Sequence, residues 1–320
     1  MHLLSSAALA LGFGFARLAA AAPGSGSSAL QNILKNTDRS DLYGYPTDLT
    51  RGIIPIPAHS HNDYWRDLPF YSALSAGCIS VEADVWLYGD ELLVGHDQSS
   101  LTKSRTLQSL YIDPILDVLH RQNPKSRYID EETKNGVFDT TPSQTLYLFI
   151  DLKTPGNTTW PAVISALAPL REAGYLTSLS NNNTLTQGPV TVIGTGNTPL
   201  DQIGPVADRD YFYDAPLAEL DTPAYKDITG YISPIASTSF KAAVGEALLG
   251  DGEGEQVLNG TQVETLRGQI ALARERGIGA RYWETPGWPV RERNGVWRAL
   301  LREGVALVNA DDLEAVQGYF

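Results

Sequence analysis

From about residue 50 to the C-terminus, short apolar runs alternate with helix signals, and this alternation constrains the fold more than any other feature of the chain. The runs are Ile53–Ala58, Ile79–Leu87, Leu146–Leu152, Val190–Thr195, Tyr211–Tyr213, Tyr231–Ala236, Ala280–Trp283 and Val305–Asn309. Each has the length of a strand, and strands separated by helices pair in parallel. Eight of them in about 270 residues suit a closed α/β architecture, a single (β/α)8 barrel of the TIM type, better than an open doubly wound sheet. No Gly-x-Gly-x-x-Gly follows the first run, which argues against a dinucleotide fold, and Gly194-x-Gly196 alone is too short to revive one.

The helix signals agree. Thr261-x-x-Glu264 reads as a capping box, followed by Val263, Leu266, Ile270 and Ala273 at helical spacing and a stop at Gly277. Pro161 suits a first helical turn, with Val163, Ile164 and Leu167 behind it. Val296, Trp297, Leu300 and Leu301 form another apolar face closed by Gly304, and a shorter helix is expected from Asp113 to about His120. Leu92–Gly95 reads as a short extra strand leading to His96-Asp97.

Three segments are expected. Residues 1–22 read as a secretory leader, apolar from Leu3 to Phe15 and ending in Ala20-Ala21-Ala22. Residues 23–50 are rich in Gly, Ser, Asn and Asp and read as a flexible N-terminal segment. Residues 51–320 form the barrel. Secretion agrees with three glycosylation sequons, at Asn157, Asn182 and Asn259. Cys78 is the only cysteine, so no internal disulfide forms and a buried thiol is expected. No second long apolar run follows the leader, so no further membrane span is expected. The net charge of −13 shows no basic stripe and sets nucleic acid aside. A small phosphorylated substrate remains compatible, because a bound cation reverses the field inside a cleft. A monomer is expected.

Of five histidines, three fall in one block with several carboxylates. The block runs Ala58-His59-Ser60-His61-Asn62-Asp63-Tyr64, then Val81-Glu82-Ala83-Asp84-Val85, then Gly95-His96-Asp97; Asp151-Leu152-Lys153 follows later. Glu82 and Asp84 are two apart in a strand and share a face. Like charges inside a barrel repel unless a cation joins them, and a hard divalent ion takes oxygen ligands readily. Glu82, Asp84 and Asp151 are therefore the expected metal ligands, with Mg2+ favoured and Ca2+ the alternative. The bland reading is an ion-pair network of these acids with Lys153 and Arg281. His59 and His96 are the expected general base and acid, since imidazole titrates near neutrality. Lys153, Arg281, Trp283 and Asn62 are placed at the substrate, and His61 and Asp63 in support.

These residues resemble the phospholipase-C-like phosphodiesterase superfamily, which includes glycerophosphodiester phosphodiesterases and sphingomyelinase D-type phospholipases. The shared pattern is His59 at strand one, Glu82-x-Asp84 on strand two, His96-Asp97 about a dozen residues on, and Asp151 on strand three. The start His59-Ser60-His61-Asn62-Asp63-Tyr64, Tyr282-Trp283-Glu284 and Leu307-Val308-Asn309-Ala310-Asp311-Asp312-Leu313 resemble a fungal group called altered inheritance of mitochondria protein 6. The resemblance covers roughly residues 50 to 320. It implies a barrel, a histidine pair, a magnesium- or calcium-type ion, and a phosphoric diester cleaved by hydrolysis or through a cyclic phosphate. Ser60 stands where glycerophosphodiesterases carry Arg, and Asp151 where they carry Glu, which leans toward the sphingomyelinase D-type shape. Three rivals remain: a zinc-dependent amidohydrolase-like enzyme starting at His59-x-His61, a glycosidase using two carboxylates, and a non-catalytic secreted barrel. The zinc reading needs further histidines on middle strands, and none follows His120.

Overall fold

A computed structural model describes residues 27–37, 40, 42–45, 48–248 and 257–320. The expected leader lies outside the described residues. In the N-terminal unit, which ends at Tyr45, Ser28–Thr37 is an α-helix with no buried residue. The second unit, Pro46–Phe320, carries the barrel.

The eight expected strands all form. They are Ile56–Ser60, Cys78–Tyr88, Leu146–Leu152, Val190–Gly196, the segment 212–216, Ile235–Ser239, Gly279–Trp283 and Leu307–Ala310. They pair in parallel in chain order, and the eighth returns to the first through Ala58 opposite Val308 and His59 opposite Asn309. The fifth position is split by Asp214. Phe212–Tyr213 pairs with the fourth strand and Ala215–Pro216 with the sixth, so one continuous stretch of chain completes the circuit. Glu91–Val94 adds an antiparallel strand on the extended second strand, as expected from the apolar run before His96.

Helices cover the barrel unevenly. Pro69–Ser75, Asp113–Gln122, Gly156–Ala166, Gly260–Glu275 and Val290–Glu303 fill crossovers, and Leu313–Tyr319 follows the last strand. The crossovers on either side of the fifth strand carry only the 3-10 turns Leu200–Gln202 and Leu217–Glu219. Buried Val81, Ala83, Val85, Leu148, Ile150 and Leu152 point outward from adjacent strands and pack under the helices; Trp160 and Trp297 are among the largest buried side chains. At about 25 cal/mol per Å2, this apolar layer is the main favourable term. Cys78 is fully buried at the start of the second strand, and burial pushes its thiol up to about 12, so it is an inert packing group.

Four local expectations need correction. The sixth strand runs Ile235–Ser239, not Tyr231–Ala236: residues 231–234 turn ahead of it, and only Ile235 and Ala236 of the expected run are extended. The box that starts Gly260–Glu275 is made by Asn259 and Gln262, each bonding the other's backbone N–H at 2.9 Å, and not by Thr261 and Glu264. Pro161 lies inside Gly156–Ala166, a full turn beyond its start. The first strand runs Ile56–Ser60, not Ile53–Ala58. Ile56 N–H opens the ladder by donating to the Gly77 carbonyl at 2.8 Å, and Ile54 before it is left 74% exposed. That shift of about three residues carries His59 from the expected rim into the barrel and brings His61 to the rim.

Candidate active site

Side chains two apart share a strand face, so each barrel strand sends a short column of residues inward. The second strand contributes Ser80, Glu82 and Asp84 from mid-barrel to rim. Register then sets the neighbours: Asp84 lies opposite Asp151 on the third strand, and Asp151 opposite Thr195 on the fourth. Carboxylate oxygens of Glu82, Asp84 and Asp151 all lie within 4.8 Å of one another. They open on a cleft of about 490 Å3 at the C-terminal end of the strands, where barrels of this type carry their chemistry. His61, His96, Lys153, Asp214, Arg281, Trp283 and Glu284 line the same cleft.

Gly196 makes the position of Asp151 possible. It has φ +63, and a Cβ there would collide with Asp151 Oδ1. Of the two glycines too closely spaced to mark a nucleotide site, Gly196 thus clears space for a carboxylate, while Gly194 lies against Thr198 and Trp160.

Charge in the cluster is poorly balanced. Desolvation, then the neighbouring Glu82 and Asp151 carboxylates, push Asp84 up to about 7, against the pull of Lys153 and Tyr64. Burial likewise raises Asp151. Glu82 goes the other way. Its burial is outweighed by His59, Arg281 and His61, which hold it well below the usual carboxylate range. Lys153 Nζ lies 2.8 Å from Asp151 and 3.0 Å from Asp84. Burial lowers its pKa, but those two carboxylates outweigh burial and leave it raised. One lysine for two acids leaves a negative excess, and an all-oxygen cluster of two buried carboxylates and one partly buried carboxylate fits a hard divalent cation. Among the described residues this is the sole cluster of metal-ligand spacing, and it contains no histidine, unlike a zinc amidohydrolase site.

The two histidines of the first strand have different surroundings. His59 is wholly buried, with Nδ1 2.7 Å from Ser80 Oγ and its ring edge-on to Phe149 at 5.0 Å. Its Nε2 is 3.5 Å from Glu82 and has no hydrogen-bond partner. Burial, with Arg281 adding to it, lowers its pKa to about 3. A ring with no exposed atom cannot take a proton from a substrate, so the expected role of His59 as general base does not fit its position. His61 does reach the cleft. Its Nδ1 is 2.7 Å from Asp311 Oδ1 and its Nε2 3.8 Å from Glu82 Oε2. On the other side His96 is half exposed, with Nδ1 3.0 Å from Tyr64 Oη and 3.4 Å from Asp84 Oδ2, and Trp65 against its ring at 5.7 Å.

The remaining expected residues sort by position. Asn62 also lines the cleft; it sits at φ 49, with its backbone N–H 3.2 Å from Glu82 Oε2, while its amide bonds Asp311 and Tyr64 and so braces the site. Asp63 is buried away from the cleft, accepts from Ser60 Oγ and pairs with Arg66 at 3.7 Å, so its support is structural. Arg281 is 3% exposed. It bonds Asn309 at 3.1 Å and Ser237 at 3.2 Å, stacks on Phe149, and lies about 4 Å from both Glu82 and Asp214. Those partners occupy it as a counter-charge in the cleft floor, leaving little of it for substrate. Trp283 stands at the mouth, 37% exposed. Glu284 beside it has φ 54 and accepts from Ser239 Oγ at 2.5 Å.

Asp214, Tyr64 and the pairing of Asp311 with His61 were missed as site features. Asp214, whose largely buried side chain is raised by desolvation to about 6, is a charge between two short apolar runs, a signal present in the sequence. The Asp311–His61 contact spans 250 positions and had no local signal.

The fold and cleft define a parallel α/β barrel with a carboxylate-lined cleft at the C-terminal ends of its strands. Residues 47–214 match the model of the AIM6-like phosphodiesterase domain. The chain is 59% identical to an altered inheritance of mitochondria protein 6 homolog of Arthroderma benhamiae, over 92% of this chain and 93% of that protein. It is 36% identical to altered inheritance of mitochondria protein 6 of Eremothecium gossypii, over 85% of this chain and 71% of that protein. The chain therefore belongs to the altered inheritance of mitochondria protein 6 family. Among solved structures it has a distant likeness to a phosphatidylinositol-specific phospholipase C from Listeria monocytogenes, with TM-score 0.39 and 11% identity over 87% of this chain and 95% of that one.

Proposed function

We propose that the protein is a metal-dependent phosphoric diester hydrolase acting on a phospholipid headgroup or small phosphodiester, with His61 and His96 as the proton-transfer pair. The carrying observation is that two histidines from different elements reach one cleft beside a three-carboxylate cluster. Phosphodiester cleavage needs a proton removed from the attacking hydroxyl and another delivered to the leaving oxygen, and two imidazoles supply both.

His61 suits the base. Asp311 accepts from Nδ1–H, which fixes the neutral tautomer with its lone pair on Nε2, and stabilises the imidazolium that forms. His96 then donates to the leaving oxygen from the opposite side. Glu82, Asp84 and Asp151 would hold Mg2+, which supplies charge stabilisation to a phosphate oxygen when bound. Lys153 adds a fixed positive charge at the same edge, and Trp283 gives the leaving group an aromatic wall that excludes water. A neighbouring hydroxyl of the substrate as nucleophile gives a cyclic phosphate; water as nucleophile gives the open ester.

Secretion is part of the proposal and rests on the apolar leader. No helix among the described residues is long and apolar enough to cross a membrane. Asn157 and Asn182 are exposed sequons, whereas Asn259 uses its side-chain oxygen to cap a helix, so glycans are expected at the first two. Mass spectrometry of secreted protein checks leader and glycans together. The function is tested by incubating purified protein with lysophospholipids, sphingolipids, glycerophosphodiesters and inositol-phosphate conjugates, in Mg2+ or chelator. Magnesium-dependent cleavage of at least one class is expected; no cleavage of any, or full activity in chelator, contradicts the proposal.

A further inference from the structure

Tyr64 is almost wholly buried, yet its hydroxyl meets three polar atoms of the site. Oη is 2.6 Å from Asn62 Oδ1, 2.7 Å from Asp84 Oδ2 and 3.0 Å from His96 Nδ1. A phenol has one proton to donate and two lone pairs to accept with. Asn62 Oδ1 accepts only, since its amide nitrogen is directed at Asp311, 3.2 Å away. The two shorter contacts of Oη are to Asn62 Oδ1 and Asp84 Oδ2, and donating to His96 would leave the phenol's lone pairs against both oxygens. The Tyr64 proton therefore goes to Asn62 or, when that carboxylate is ionised, to Asp84. With Asp84 ionised, as it is when it holds a cation, an unprotonated His96 Nδ1 would then meet lone pairs on Tyr64 and, at 3.4 Å, on Asp84. Tyr64 and Asp84 are buried, and lone pairs turned onto theirs are costly, so the proton belongs on Nδ1.

We propose that Tyr64 is a positioning residue that fixes neutral His96 as the Nδ1–H tautomer, leaving Nε2 as the nitrogen that exchanges protons in the cleft. The chain of contacts extends further. Asn62 Nδ2 donates to the same Asp311 oxygen that receives the His61 Nδ1 proton, so Asp311, His61, Asn62, Tyr64, His96 and Asp84 form one connected set. The short segment from His61 to Tyr64 thus orients both cleft histidines, one through Asp311 and the other through a buried phenol. The catalytic consequence rests on His96 as a proton-transfer group; the tautomer itself does not.

The test is 15N spectroscopy of the histidine rings, which number five. In Mg2+-bound wild type, and in the metal-free protein with Asp84 ionised, His96 should show a protonated Nδ1 and an unprotonated Nε2 once neutral. Tyr64→Phe should release it to a mixture containing Nε2–H, and turnover should fall on the order of 10-fold through kcat with KM little changed. Tyr111→Phe is the control. It removes another buried hydroxyl, one that donates to the Glu82 carbonyl at 2.7 Å, and should leave the His96 pattern unchanged. An Nε2-protonated His96 in wild type overturns the inference without any variant, and so does a pattern unaltered by Tyr64→Phe. Failure of wild type to cleave any phosphodiester would sink the functional reading and leave the tautomer result standing.

Discussion

Asp84→Asn should stabilise the protein when no metal is bound. In the folded chain the Asp84 carboxyl rises from 3.8 to about 7, first through desolvation and then through Glu82 and Asp151. A raised carboxylate favours the protonated form, so its contribution is fully present below about pH 4 and is lost as pH climbs through 7. The rise corresponds to roughly 4 kcal/mol of lost stability at pH 8. Asparagine is neutral and nearly isosteric, keeps an acceptor for Tyr64, and gives up a 3.0 Å ion pair with Lys153. A net gain of about 2 kcal/mol is expected, on the order of 5 °C in unfolding temperature for a domain of this size. The gain should shrink toward zero near pH 4. Adding Mg2+ at 100 times its dissociation constant should raise wild type by about 2.7 kcal/mol and Asp84→Asn by much less. The assay is thermal unfolding from pH 4 to 8 with chelator or Mg2+. If the cluster is instead a self-sufficient ion-pair network with Lys153, breaking a buried pair costs about 3–5 kcal/mol. A metal-free variant less stable than wild type at pH 8, with no response to Mg2+ in either protein, would refute the reasoning.

Other perturbations separate roles within the cleft. Asp311→Asn should lower kcat on the order of 100-fold at unchanged fold, because the partner that sets the His61 tautomer is lost, and steady-state kinetics checks it. His59→Ala should act on stability, by about 2 kcal/mol in chemical denaturation, since it opens a cavity and leaves Ser80 Oγ without its ring partner. Arg281→Met should be more severe, about 3–5 kcal/mol, because Glu82 and Asp214 then lose their shared buried cation. Trp283→Ala should mainly raise KM for substrates with a bulky leaving group, as expected of a wall at the cleft mouth.

Much of the fold was legible because barrel strands are short apolar runs, and all eight were found in order. Their boundaries were less so. Ile53 and Ile54 extend the first run in composition, but Ile54 is left exposed and the strand begins at Ile56, where the first bond to Gly77 forms. That small error had a large effect: it exchanged the positions of His59 and His61 relative to the rim. The carboxylates survived it, because Glu82 and Asp84 are fixed by alternation within a long strand, and Asp151 is brought opposite Asp84 by register. What stayed illegible was the pairing of distant residues. His61 with Asp311, and Tyr64 with His96 and Asp84, depend on barrel closure and on the left-handed turn at Asn62, neither of which leaves a local pattern.

The central claim is that His61 and His96 transfer protons in a magnesium-dependent cleavage of a phosphodiester. The most direct measurement is the initial rate of His61→Ala, beside His96→Ala and wild type, on the best substrate of the panel in saturating Mg2+, with unfolding temperature recorded for each. Both variants should lose at least about 100-fold in rate while unfolding near the wild-type temperature. A wild-type rate in either variant contradicts the account.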